Sequence, residues 1–570
     1  MKFQHLKISL CQINSTVGDL DGNSLKIIEY YKKTVQDHSP DLVVFPECAL
    51  IGYPPEDLLF KKSFLDAARK ALNKICRETG RTLMVVGTAR VKNGQVFNCA
   101  VGIQNGKIQW TYAKKILPNY GVFDEKRYFS PGKDLGIFQV HGIPMGISVC
   151  EDIWEEDMKL SPCRAQSKQG AKILINISAS PFCVGKFDVR RELLKRRARQ
   201  SGLPILYVNC VGGQDELVYD GRSMAVDAKG RLQVLAGSFE EDIRVVGIDF
   251  ARSHVAAIHG ERTALPSGIV EIYQALVLGT RDYCDKNGFK TALVGLSGGV
   301  DSALTAALAV KAIGPDRVTG VTLPSKFSSV STRNDAEKFA KNMGIQFLKI
   351  PIQRIYQTFL KELAPYLKDQ GNRGGRGGRV PDVTEENLQP RIRAAILMAL
   401  SNRYGHLVLT TGNKSEISVG YCTLYGDTAG GFAVLKDVPK GVVYALARYV
   451  NKLVGRAVIP LSTIRRAPTA ELKFNQKDQD TLPPYPLLDK ILDGYVEKDL
   501  GYQELRGGRG GFNEKTLQRV IRMVDSNEYK RRQSPPGIKI TPKAFGRDRR
   551  MPITNRFSDT YVRGRIKVYP

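Results

Sequence analysis

The chain has 570 residues, more than one hydrophobic core usually serves, so two large domains are expected. Apolar residues make up 42% and charged residues 25%, which excludes wholesale disorder, a fibrous repeat and a membrane-embedded protein. Lys+Arg 85 against Asp+Glu 57 leaves a net charge of +28, which favours anionic ligands such as nucleotides and phosphates and says nothing about fold.

Lys2, His5 and Lys7 interrupt the first residues, and no apolar run approaches the roughly 18 residues of a membrane span. Neither an export signal nor a membrane partner is expected. The ten cysteines include no C-x-x-C pair, so they read as mostly buried free thiols in a reducing compartment, the cytoplasm. The six histidines show no metal-ligand spacing.

Short β-branched runs alternate with helical stretches over residues 1–250. Strands are predicted at 7–13, 42–46, 83–88, 145–150, 173–178, 205–210 and 223–227. Several are continuous apolar runs, as in strands buried on both faces. Helices are predicted at 22–36, 63–79 and 190–201, the last so basic that its charges read as a solvated face. Residues 251–267 are less regular and read as a connector, which leaves 268–570 as the second domain. There a helix from about Ile269 leads to strands at 291–296, 318–323, 346–350 and 407–411, with a helix at 302–313. Repeated strand–helix–strand units imply a parallel, doubly wound sheet. The glycine-dense runs GNRGGRGGR (371–379) and LRGGRGG (505–511) read as mobile loops. Residues 528–570 carry 12 Lys/Arg against 3 Asp/Glu.

Three reactive residues stand near predicted strand ends: Glu47 after LVVFP, Lys114 before KILP, and Cys150 at the close of GISVC. A thiol needs a base or a nearby cation to attack an amide carbonyl. A carboxylate can move its proton, and an ammonium can stabilise the oxyanion. The strings FPECALIGYPPEDLL, AKKILPNYGVFDEKRYF and GISVCEDIWE resemble the nitrilase/amidase superfamily. The resemblance implies a four-layer α-β-β-α sandwich with Cys150 as nucleophile, Glu47 as general base and Lys114 as the oxyanion-stabilising residue. Lys115 is the rival for the lysine role, and Glu125 a supporting acid.

In the second half, Ser297-Gly-Gly-Val-Asp-Ser302 follows a strand and opens a helix. Adjacent glycines let backbone N–H groups approach an anion, and a helix N-terminus favours phosphate. Asp301 could hold Mg2+ carried with the phosphates. This is not a Walker A loop. SGGVDS resembles the loop of the PP-loop ATP pyrophosphatases. TEENLQPRIR, TTGNKSE, VGYCTLYGDTAGGFA and KDVPK resemble NAD synthetases, and the whole chain resembles their glutamine-dependent form. The implied reaction is glutamine hydrolysis followed by ATP-dependent amidation of deamido-NAD(+).

Several further residues enter only through that resemblance. Tyr120, Ser180 and Lys186 would bind glutamine. Gly295, Leu296, Ser297, Gly298, Gly299, Val300, Asp301, Ser302, Thr411, Lys440 and Thr469 would bind ATP. Asn387, Glu416 and Lys530 would bind deamido-NAD(+), and Asp301 and Glu416 would hold Mg2+. Arg391 and Arg393 are further anion-binding candidates, although Ala394 and Ala395 stand where a glycine is expected. A homo-oligomer is implied. An amide ligase with another acceptor is the competing enzyme reading. An RNA-binding protein using the RGG runs is the other, but those runs lack interleaved aromatics, and no nucleic-acid partner is expected.

Overall fold

The computed structural model describes residues 5–155, 161–251, 254–266, 268–367, 383–508, 511–557 and 559. The chain divides into two compact units, Met1–Asp282 and Tyr283–Pro570. The division falls inside the helix Ile269–Lys286.

Two large sheets form the body of the first unit, with a small third one pairing Val211–Gln214 and Leu217–Asp220. The larger runs in the order His254–His259, Asp242–Ala251, His5–Gln12, Leu42–Val44, Leu83–Lys92, Gln95–Gln104 and Lys107–Ala113. The other runs Leu232–Leu235, Met224–Val226, Ile205–Asn209, Ile173–Ser178, Ile143–Val149 and Ile137–Val140. Alternation along each strand sorts side chains between layers. Leu42 and Val44 point into a core shared with Ile147, Val149, Ile175 and Ile177 of the opposite sheet. Val43 faces away, against Ile27 and Tyr31 of the helix Leu20–His38 and Leu72 and Ile75 of the helix Lys62–Arg77. On the far side Leu174 packs on Leu193, Leu194 and Ala198 of the helix Lys186–Ser201. The result is the four-layer α-β-β-α sandwich.

Three readings change. The stretch read as irregular contains the strand His254–His259, paired antiparallel with Asp242–Ala251. The basic helix Lys186–Ser201 is not simply a solvated face. Arg190 is buried and its guanidinium lies 2.6 Å from the Asp220 carboxylate. Arg197 is buried as well and donates to the Ile153 carbonyl at 2.9 Å. Finally, Leu505–Gly507 belong to a helix, Tyr502–Gly507. Tyr502 and Leu505 are buried among Leu488, Leu492, Leu517 and Ile521, which outweighs a glycine penalty of about 1 kcal/mol. GNRGGRGGR lies outside the described residues.

The second unit carries one all-parallel sheet in the order Gln346–Lys349, Val318–Thr322, Ala292–Gly295, Leu407–Thr410 and Phe432–Ala433. The chain leaves the central strand Ala292–Gly295 toward one edge and later returns to the other side of it. That reversal opens a crevice at the carboxyl ends of Ala292–Gly295 and Leu407–Thr410, the usual ligand position of such sheets. One face packs on Tyr356 and Ile392 from the helices Gln353–Leu367 and Thr384–Tyr404. Against the strands also lies the nearly fully buried helix Val300–Ile313, which contacts the helix Lys440–Val454. Among the described residues no helix is long and apolar enough to cross a membrane.

The Arg190–Asp220 pair supplies a stability test. Removing Arg190 leaves the buried Asp220 carboxylate with a weaker partner, the Arg222 guanidinium 3.5 Å away. Arg190→Met should cost about 3 kcal/mol in the urea transition of the first unit. Arg190→Met/Asp220→Leu should recover most of that loss. A single variant as stable as the parent would mean that the helix presents Arg190 to solvent.

Candidate active site

Glu47 and Cys150 follow strands of facing sheets, Leu42–Val44 and Ile143–Val149, and Lys114 follows Lys107–Ala113. All three side chains are buried. Glu47 Oε1 accepts from Lys114 Nζ at 2.8 Å and from Asn98 Nδ2 at 2.7 Å. Its other oxygen accepts from the Ala179 N–H at 2.8 Å. Lys114 Nζ also donates to Glu125 Oε1 at 2.8 Å, an oxygen that accepts from the Tyr53 hydroxyl as well. Lys115 instead uses its backbone N–H, bonded to Asp152. Of the two lysines, Lys114 is the one whose ammonium bonds Glu47 and Glu125.

The close packing needs a glycine beside Glu47. A Cβ on Gly87 would stand 2.3 Å from the Pro46 carbonyl oxygen and 2.5 Å from the Cys48 nitrogen. Cys150 turns out of its strand at φ 42, a left-handed conformation that an ordinary residue adopts only when its surroundings impose it.

Burial pushes the Cys150 thiol well above its ordinary range, and the Glu47 carboxylate adds to this while Lys114 opposes it. Burial and the Glu47 carboxylate thus both favour the protonated thiol. For Lys114, burial pulls the ammonium down, but Glu125 and Glu47 together hold it well above its ordinary value. Glu125 itself is pushed up to about 7 by burial, with Lys114 opposing and Glu47 reinforcing.

The other first-unit candidates surround this group. The Tyr120 hydroxyl donates to Glu151 at 2.9 Å, next in sequence to Cys150, while its ring is exposed. Ser180 is buried and its N–H donates to Asn209 Oδ1. Half-buried Lys186 places its ammonium 4.2 Å from the Trp154 ring centre. Burial, helped by Arg190, draws that ammonium below its ordinary value.

In the second unit Gly295–Ser302 runs from the end of the central strand into the helix Val300–Ile313. Gly298, at φ 84, has no space for a side chain: a Cβ would meet the Thr332 carbonyl oxygen at 2.1 Å. The Ser297 hydroxyl accepts from the Gly299 N–H, and Ser302 Oγ donates to the Gly299 carbonyl. Asp301 Oδ2 lies 2.6 Å from Lys440 Nζ, which lies 2.9 Å from Glu416 Oε1. Asn413 Nδ2 donates to Asp301 Oδ1, and the Tyr485 hydroxyl reaches Glu416 and Asp478. Burial draws the Lys440 ammonium down, but Asp301 and Glu416 hold it well above its ordinary value. Glu416 is pushed up to about 7 by burial.

Thr411 follows the strand Leu407–Thr410 at the sheet crevice. Thr469 Oγ1 accepts from the Glu471 N–H, and the Glu471 carboxylate accepts from Thr332, the neighbour of Gly298. Asn387 and Lys530 meet one stretch of chain. Asn387 Oδ1 accepts from Thr423 Oγ1 at 2.9 Å, and Lys530 Nζ donates to the Gly420 and Cys422 carbonyls at 2.8 and 3.1 Å. A small pocket lies beside that stretch, lined by Thr410, Gly412, Glu416, Cys422, Asp427 and Ser534 among others. Nothing ties Lys530 directly to Glu416 beyond this shared neighbourhood. Arg393 donates to the Leu323 carbonyl at 2.9 Å, and Arg391 to that of Leu424 at 3.2 Å.

Sequence reasoning missed Asn98, Asp152, Asn413, Asp427 and Tyr485. Asn98 had a signal, a polar residue within the apolar run NCAVGI. Asp152, Asn413 and Tyr485 became visible only through contacts distant in sequence, and Asp427 through its bond from the Thr423 N–H and its place in the pocket.

Residues 7–257 match the carbon-nitrogen hydrolase family and residues 272–534 the NAD synthase family. A glutamine-dependent NAD(+) synthetase of Thermotoga maritima is 42% identical over 588 aligned residues, covering 98% of this chain and 100% of that one. Its counterpart in Acinetobacter baylyi is also 42% identical, covering 96% and 98%. A solved structure of glutamine-dependent NAD+ synthetase from Acinetobacter baumannii, in complex with ADP, is 40% identical with a TM-score of 0.76, covering 97% and 99%.

The Glu125 environment has a pH consequence. Its folded value of about 7 exceeds the ordinary 4.5, so the folded chain binds the extra proton in that window. Its contribution to stability is complete below 4.5 and is lost as pH rises through about 7. Urea titrations at pH 5 and pH 7.5 should show a smaller stability loss for Glu125→Gln than for the parent. An unchanged loss would show that Glu125 titrates normally.

Proposed function

Because the chain belongs to the glutamine-dependent NAD(+) synthetases, ATP-dependent ligases that take the amide nitrogen from glutamine, we propose that its two sites divide that reaction between them. The observation that carries this reading is the buried Glu47–Lys114–Glu125 cluster acting electrostatically on Cys150.

In the first unit Glu47 takes the thiol proton as Cys150 attacks the side-chain amide carbonyl of glutamine. A buried, protonated thiol requires such a base in the same step. Lys114 stabilises the tetrahedral oxyanion, and Glu47 returns the proton to the departing nitrogen. Water then resolves the thioester to glutamate, with Glu125 keeping the ammonium in place. Tyr120 and Ser180 border the substrate, and Lys186 meets its α-carboxylate.

In the second unit the loop Gly295–Ser302 holds the ATP phosphates on the helix N-terminus, with Thr411, Lys440 and Thr469 completing the nucleotide site. The Acinetobacter baumannii structure is a complex with ADP, which supports an adenine nucleotide as a ligand of this chain. Asn387, Glu416 and Lys530 bind deamido-NAD(+) around Gly420–Thr423. The nicotinate carboxylate attacks the α-phosphate, releasing pyrophosphate. Ammonia then displaces AMP to give the amide. Free ammonia is mostly ammonium at neutral pH, so it must be kept from water between release and use.

The residues present fit Mg2+. Asp301 and Glu416 converge on one cationic position, now spanned by Lys440. Among the described residues no group of three or more His, Cys, Asp or Glu forms a closed metal cage. Two carboxylates plus substrate phosphates are the usual Mg2+ set. When bound, the ion would neutralise charge on the triphosphate.

All ten cysteines are free, which supports work in a reducing compartment, the cytoplasm. A homo-oligomer is proposed on the family resemblance, with small-molecule substrates and neither a membrane nor nucleic acid required. Light scattering on the purified chain checks its oligomeric state.

With glutamine, ATP–Mg2+ and deamido-NAD(+), the products glutamate, AMP, pyrophosphate and NAD(+) should rise in step. Cys150→Ala should lose glutamine-driven turnover and keep synthesis from ammonium. A variant that still uses glutamine would remove Cys150 as nucleophile. Asp301→Ala should lose at least about 100-fold by either nitrogen source. Intact ammonium-driven turnover would take Asp301 out of the nucleotide site.

A further inference from the structure

Two residues beyond Cys150 lies a carboxylate that the proposed reaction does not use. Asp152 is fully buried. Its Oδ1 accepts from the N–H groups of Lys115 and Ile116, each at 2.9 Å. Its Oδ2 accepts from the Val149 N–H at 2.9 Å and from the Tyr112 hydroxyl at 2.8 Å. A carboxylate offers about four acceptor directions, so its capacity is spent on the scaffold and it has no role left as a proton shuttle.

The four donors are not scattered. Lys115 and Ile116 immediately follow Lys114, and Tyr112 lies two residues before it. Val149 immediately precedes Cys150. The strand that carries Tyr112 belongs to one sheet and the strand that carries Val149 to the other. One side chain therefore bridges the sheets at the point where each delivers a reacting group. It also closes the turn in which Cys150 adopts φ 42, a conformation that persists only where its neighbours fix it.

We infer that Asp152 is the positioning residue that sets the separation and orientation of the Cys150 thiol relative to the Lys114 ammonium. The inference rests on the roles proposed above for those two residues. Asp152→Asn tests it without changing size. The amide can accept at one end only, so its NH2 must face either the two N–H groups after Lys114 or the Val149 N–H and the Tyr112 hydroxyl. Tyr112→Phe is the milder variant, removing one donor and leaving three.

Both variants are measured as full-length chains with glutamine and, separately, with ammonium. Alkylation of Cys150 by iodoacetamide is followed on its peptide by mass spectrometry. Asp152→Asn should lower kcat with glutamine about 100-fold while KM stays within about threefold, because a small misplacement of reacting groups acts on the chemical step. Alkylation should slow in parallel, and ammonium-driven turnover should stay within about twofold of the parent on the same grounds. Tyr112→Phe should lose about fivefold in the same direction, the worth of one hydrogen bond. Parent-like glutamine turnover in Asp152→Asn overturns the inference, as does an equal fall with ammonium, which would mark Asp152 as general scaffolding. If Asp152→Asn fails to fold, Tyr112→Phe decides, and an unchanged glutamine kcat overturns the proposal. Cys150→Ala separates the two levels: retained glutamine use there defeats the nucleophile assignment itself, whatever Asp152 does.

Discussion

Both units depend on the same electrostatic constraint, an ammonium held out of water between two carboxylates. Lys114 sits between Glu47 and Glu125, and Lys440 between Asp301 and Glu416. Burying any of these charges alone would be prohibitive, and grouping them makes burial tolerable. In each cluster one carboxyl is pushed up to about 7, Glu125 in the first and Glu416 in the second. Each cluster carries two potential negative charges against one positive. The surplus is balanced by hydrogen bonds from the scaffold: Asn98, Ala179 and Tyr53 in one case, Asn413 and Tyr485 in the other.

The folds serve those clusters in different ways. In the sandwich, facing sheets bring Glu47 and Cys150 together from opposite sides of a shared apolar core. In the parallel sheet, the reversal of strand order leaves a crevice where two neighbouring strands end together. In the first unit the clustered side chains follow strand ends, whereas in the second Asp301, Glu416 and Lys440 lie in the first turns of the helices Val300–Ile313, Lys414–Val419 and Lys440–Val454.

Much of this was legible in the sequence, for reasons that can be named. Apolar runs such as LVV and the β-branched GISV read as strands buried on both faces, and Glu47 and Cys150 stand just beyond them. The strands Gln95–Gln104 and Lys107–Ala113 were harder to see, because polar residues break their apolar pattern, and with them went Asn98. Arg190 looked solvated because its partner Asp220 stands 30 residues away, and a guanidinium's burial is decided by such a partner. The helix Tyr502–Gly507 was hidden by its glycines, since the apolar cluster that receives Tyr502 and Leu505 comes from other helices. The two sites were approachable through local strings, whereas the groups that brace them come from distant segments that only folding gathers.

Gly87 shows how far this dependence on close approach extends. The backbone on either side of Glu47 lies directly against that position, so even a methyl group would intrude. A saturation-mutagenesis library would therefore find position 87 as intolerant as an active-site residue, although it offers no functional group to the reaction. Intolerance to replacement, taken alone, cannot separate the atoms that react from the empty space that lets them meet.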